Sequence, residues 1–140
     1  MKSIAIFLVL FFIITPMVSA QIKPDQLKSK GIRTIVFCLN QYSRFAKTGD
    51  AVYLIRGTKY ASEAGLLFSL LKDNYPKSIK DEDAKEIIET MDALSANIPE
   101  RFIDDPASVR QDPGFITYLH LTRIVLEDKL GELPEENNEE

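Results

Sequence analysis

Along most of the chain apolar residues return at steps of three and four, the period of a helix that turns one face to a core. From Pro24-Asp25 onward Ile32, Ile35, Val36, Leu39, Tyr42 and Ala46 fall on one side of a helix that reaches about Ala46. Proline suits its first turn. Gly49 ends it, and Asp50 is the N-cap of a second helix from Ala51 to about Lys72. There Tyr53, Gly57, Tyr60, Ala61, Ala64, Leu67, Phe68 and Leu71 share a face, while Leu54, Ile55, Leu66 and Leu70 spread round the rest. A helix apolar nearly all round is ordinarily buried, so this one is expected at the centre of a bundle, kinked at Gly57-Thr58.

Asn74-Tyr75-Pro76 breaks the pattern, and Asp81 opens the cleanest amphipathic helix. It turns Ala84, Ile87, Ile88, Met91 and Leu94 inward and Glu82, Lys85, Glu86, Glu89 and Asp92 outward. Pro99 to Gln111 reads as a connection with a short turn of helix, because Asp105-Pro106 and Asp112-Pro113 each have the form of an N-cap followed by proline. The last helix runs from about Gly114 to Leu130, burying Phe115, Tyr118, Leu119, Thr122, Val125, Leu126 and Leu130, and Gly131 closes it. Phe37 and Phe45 in the first helix, and Leu121 and Ile124 in the last, lie off the stripe centres; burial from a second side is expected for them, the alternative being an exposed patch for a partner or an apolar ligand. No segment alternates like a strand between hairpin turns. The expectation is an all-α, single-domain bundle of about four helices, residues 21–131.

The first twenty residues follow a different rule. Lys2, an unbroken apolar run from Ile4 to Ile14 and the small residues of Val18-Ser19-Ala20 make a secretory signal peptide cleaved before Gln21. Eleven apolar residues fall short of the roughly 20 that a spanning helix needs. The mature protein is therefore expected in a periplasm or outside the cell, without a membrane span. At the other end Glu132 to Glu140 holds five Glu and nothing basic, which predicts an acidic disordered tail.

Charge divides the mature chain. Residues 21–72 carry nine Lys/Arg against three Asp/Glu, and residues 73–131 carry seven against thirteen. A basic half and an acidic half suit self-association, so a homodimer enters the expectations. Export argues against nucleic acid as the ligand of the basic half.

Catalytic chemistry is thinly provided. One Cys and one His in 140 residues exclude an intrachain disulfide and a Cys/His zinc site, and the spacing of the carboxylates matches neither a calcium loop nor a di-iron bundle, so neither metal nor cofactor is expected. Asp81, Glu82, Asp83, Glu86 and Glu89 are accounted for by the dipole at a helix start. Cys38 is expected as a buried inert thiol, the alternative being an exposed one that pairs between chains. His120 falls opposite the apolar stripe and is expected as a partly exposed helix residue, the alternative being a general base assisted by a carboxylate from elsewhere in the fold; no nucleophile motif stands beside it.

These features point to a small exported module that binds another protein of the envelope or extracellular space, as an inhibitor, immunity-type protein or accessory subunit does. Its expected contacts are the basic residues Arg44, Lys47, Arg56 and Lys59, with Arg101, Asp104, Asp105 and Arg110 of the Pro99–Gly114 connection. Two other readings stand beside it: a carrier of a small apolar ligand between helices, and a carboxylate-type hydrolase.

Overall fold

At two helix starts and one helix end a side chain or a glycine satisfies the free backbone groups. Asp50 accepts a hydrogen bond from the Val52 amide at 2.9 Å, and Asp112 accepts one from the Gly114 amide at 3.0 Å. Gly49 is left-handed at φ 67°, and a Cβ there would come within 2.7 Å of the Ala107 backbone, so both conformation and space require glycine. The computed structural model describes residues 22–135. Its long helices are α1 (Pro24–Thr48), α2 (Ala51–Asn74), α3 (Asp81–Ala96) and α5 (Pro113–Leu130); the five-residue α4 (Glu100–Asp104) and a 3-10 helix (Pro106–Gln111) lie in the connection before α5. No strand occurs among the described residues. The expected signal segment and residues 136–140 of the expected tail lie outside them.

Neighbouring long helices run antiparallel. The Tyr75 hydroxyl at the end of α2 donates to the Ile22 carbonyl just before α1, at 2.7 Å. At the far end of the sequence Lys129 of α5 reaches Glu86 of α3 at 3.0 Å and Asp83 at 4.0 Å. Helices α1 and α3 each pack on both α2 and α5, which leaves α2 and α5 at opposite corners of an all-α bundle. One end of the bundle is closed by the connection, which inserts Phe102 and Val109 into the core. There Phe45, Phe102 and Phe115 meet edge to face at centroid distances of 5.3 to 5.9 Å, and Tyr42 joins Phe115 at 6.2 Å.

Tyr42 ties three helices together. Its hydroxyl donates to the Leu94 carbonyl of α3 and lies 3.2 Å from the Thr58 hydroxyl of α2. Its ring occupies the space that a side chain at position 57 would fill, since a Cβ on Gly57 would stand 2.9 Å from Tyr42 Cε1. The glycine serves close approach here, and α2 runs as one continuous helix through Gly57 and Thr58.

Burial corrects several expectations. α2 is not the centre of the bundle: Leu54, Ala61, Ala64 and Phe68 are buried, but Val52, Ile55, Leu66 and Leu70 face solvent at 38 to 68% exposure. The reason is geometric, because each helix of a four-membered bundle keeps one side outward and has no second layer to cover it. On α5 the same reason exposes Tyr118, Leu121 and Ile124, all expected inside. Phe37 is exposed as well, resting against Tyr60 with 5.7 Å between ring centroids, whereas Phe45 is fully buried as expected. Asp105 makes no side-chain cap bond. Leu133, assigned from sequence to the tail, is buried; its carbonyl accepts from Arg123 at 2.8 Å and its amide donates to Glu127 at 3.2 Å. Docking of one leucine carries the described fold past Gly131.

Candidate functional site

Among the open clefts on the surface of the described residues, three lie on or near residues singled out from the sequence. The first lies where the start of α2 meets the end of α3 and the connection. Ala51, Leu54, Ile55 and Thr58 form one wall, Ser95, Ala96 and Ile98 the second, and Phe102, Ile103 and Pro106 the third, around about 380 Å³. None of these ten residues is charged. Ile55 and Ile103 stand at its edge, 68% and 63% exposed. Next to Ile55 along α2 come the exposed Arg56 and Lys59; next to Ile103 come the exposed Asp104 and Asp105. Of these basic groups Lys59 lies one turn from Ile55, whereas Arg56 points by helical phase toward α1; the acidic groups lie beside Ile103.

A second cleft, of about 460 Å³, opens between the end of α3, the connection and α5, and includes Arg101, Phe102, Asp112 and Tyr118. Here Arg101 is already engaged: it pairs with Asp112, and its guanidinium carbon sits 5.0 Å from the centre of the Phe102 ring. Because Asp112 also caps α5, the pair braces the connection against the helix it feeds. Arg110 lies over the turn between α1 and α2, its Nε 3.4 Å from the position of a Gly49 Cβ.

The third cleft, of about 260 Å³, runs between α1 and α5, with Leu39, Ala46 and Leu119 among its apolar residues and Lys47, His120 and Arg123 among its polar ones. No carboxylate lines it. His120 is exposed, as helical phase predicts. The basic set expected to act together is therefore divided: Lys47 faces α5, while Arg44 and Arg56 lie by helical phase along the α1–α2 seam that Phe37 and Tyr60 mark.

Groups with titration chemistry are placed structurally. Cys38 is buried, its thiol donates to the Gly57 carbonyl at 3.4 Å, and burial pushes it up from its ordinary 9.0 to about 12. That bears out the inert thiol and closes this route to a covalent dimer. Burial likewise raises the Tyr42 phenol above its usual range. Hydrogen bonds that Lys129 donates to Glu86 and Asp128 hold its ammonium above the ordinary lysine range, which makes the acidic start of α3 one side of a clamp on the end of α5. No group of three or more His, Cys, Asp or Glu comes together as a metal site among the described residues, and no described helix is long and apolar enough to cross a membrane.

Ile103 escaped the sequence analysis, and Ile55 was assigned to the interior. A lone isoleucine between Phe102 and two aspartates belongs to no period, and only the fold of the connection sets it opposite Ile55. The chain matches no family model, no curated protein and no solved structure.

Proposed function

We propose that this chain is an exported protein-binding module whose partner seats an apolar side chain in the cleft between Ile55 and Ile103. The observation that carries this reading is the pairing of two highly exposed isoleucines across a cleft with an uncharged lining, held by a tightly packed aromatic core. Apolar residues at the centre of a contact with charged groups at its margin are the anatomy of a protein interface. Lys59, one turn from Ile55, and Asp104 and Asp105, beside Ile103, bias the orientation in which a partner of complementary charge can land.

An apolar small molecule is the competing occupant, because about 380 Å³ lies within the range of roughly 300–1,000 Å³ for ligand pockets. Two measurements separate these. Ile55→Asp and Ile103→Asp, at exposed positions, leave the unfolding transition in place and abolish capture of a protein partner from the exported fraction of the source cells; undiminished capture by both variants rejects the cleft. Organic extraction of the native protein followed by mass spectrometry yields no stoichiometric passenger, and a bound lipid-like compound would transfer the cleft to the carrier reading.

A further inference from the structure

We infer that a second copy of this chain covers the outer face of α5, the two copies related by a two-fold axis that runs along the helix. The exposed positions of α5 from Pro113 to Ile124 are Pro113, Gly114, Ile116, Thr117, Tyr118, His120, Leu121 and Ile124, and none is Asp, Glu, Lys or Arg. Ile116, Leu121 and Ile124 are each half or more exposed, and Tyr118 is 42% exposed. More than three turns of helix thus offer water an apolar strip, which isolated soluble domains rarely do.

The margins of the strip identify what lies on it. On the α1 side the bordering residues are Lys47 and Arg123; on the α3 side they are Glu86 and Glu89. Lys47 shares a cleft with Ile116, Leu119 and His120, and Glu89 shares one with Tyr118, Leu121 and Thr122, so the two opposite charges border the same stretch of α5 from opposite sides. Arg123 is held by Glu127 at 2.9 Å and Glu86 by Lys129 at 3.0 Å, which leaves Lys47 and Glu89 to carry most of the contrast. Glu89 is shared only with Lys85, 4.0 Å away on an exposed helix surface, a contact worth little.

A surface with a basic left edge, an apolar middle and an acidic right edge is complementary to itself in one arrangement. Rotation about an axis parallel to α5 lays each left edge on the partner's right edge, so Lys47 meets Glu89 twice and the apolar strips meet in the middle. Rotation about the perpendicular axis in the same plane would set Lys47 against Lys47. The contact is isologous and closes at two copies. This surface lies across the bundle from the outer side of α2, and it stands whether or not the Ile55–Ile103 cleft binds a partner. Its length is set by about three turns of one helix, which places it near the lower end of stable interfaces, roughly 1,200 Å² in total, with an expected dissociation constant of about 1–100 μM.

Sedimentation equilibrium of the purified protein across that range tests it. A concentration-dependent monomer–dimer equilibrium is expected, and a single monomer mass throughout overturns the inference. Leu121→Glu, at an exposed position, should weaken the dimer by at least about 10-fold while the circular dichroism and unfolding curves stay unchanged; an unaltered dimer would place the contact elsewhere. Lys47→Glu and Glu89→Lys should each weaken it, yet an equimolar mixture of the two, and the double variant K47E/E89K alone, should regain dimerisation. Failure of both to recover rules out the axis along α5.

Discussion

The inner and outer faces of α2 and α5 differ in a way that α1 and α3 do not. In α3 the apolar set is spent on the core: Ala84, Ile87, Met91 and Leu94 are buried, and Glu82, Lys85 and Glu89 look outward. α1 behaves similarly, with Phe37 as its one large apolar residue exposed along the helix. α2 and α5 instead carry more apolar side chains than the core accepts, and the surplus is displayed in two places at opposite corners of the bundle. Core packing explains Phe68 or Leu126; it explains neither Leu66 nor Leu121. Apolar residues that a fold does not need for its interior are candidates for contact with something else.

If that division is right, the largest effect belongs to the inner set. Phe45→Ala, at the centre of the aromatic cluster, should lower the unfolding free energy by about 3–5 kcal/mol in urea denaturation, since the ring has neighbours in the connection and in α5 that cannot follow it. A loss below about 1 kcal/mol would show that the cluster is not part of the cooperative core.

Gly57→Val comes next. The added branches would collide with a Tyr42 ring that is held at its hydroxyl by α3, and a loss of about 1–3 kcal/mol is expected by the same assay. Pairing it with Tyr42→Ala should recover part of the loss if the ring is the obstacle.

Alkaline titration probes the inner seam between α1 and α2 without mutation. The folded state keeps the Cys38 proton up to about pH 12, while the unfolded chain releases it near 9.0. Above pH 9 the native form therefore binds more protons than the unfolded one, and stability falls with rising pH, by at most about 1.4 kcal/mol per unit for this group. Tyr42, shifted in the same direction, adds to the slope at higher pH. Cys38→Ala should flatten the decline between pH 9 and the upper end, and an unchanged slope would assign it to other groups. Well below pH 9 the Cys38 thiol is protonated in both the folded and the unfolded state, and the term vanishes.

The smallest change is expected outside. Leu66→Ser, on the exposed side of α2, should shift stability by no more than about 0.5 kcal/mol. A loss of about 2 kcal/mol or more would mean that this face is covered in the folded protein, and the contrast between the two faces would disappear.

Much of this architecture is legible before folding. The four long helices, the caps at Asp50 and Asp112, the buried Cys38 and the outward His120 follow from local rules, because a 3.6-residue period, a capping side chain and a helical phase are properties of a short stretch of chain. The site was read less well. Arg101 was expected to meet a partner and instead braces the connection through Asp112, and Leu133 left its expected tail for the core. Each depends on a residue more than five positions away, which no periodicity reports.

The chain's pattern alone settled that helices form, how many long ones there are, and which residues of α1 and α3 go inside, since a helix with one apolar stripe has one way to bury it. It left undecided which side of α2 and of α5 would be covered, because an all-round apolar helix fits a core in any rotation. That choice came from packing: Tyr42 needed the gap at Gly57, Phe115 needed Phe45 and Phe102, and the sides not chosen became the exposed apolar faces of the bundle.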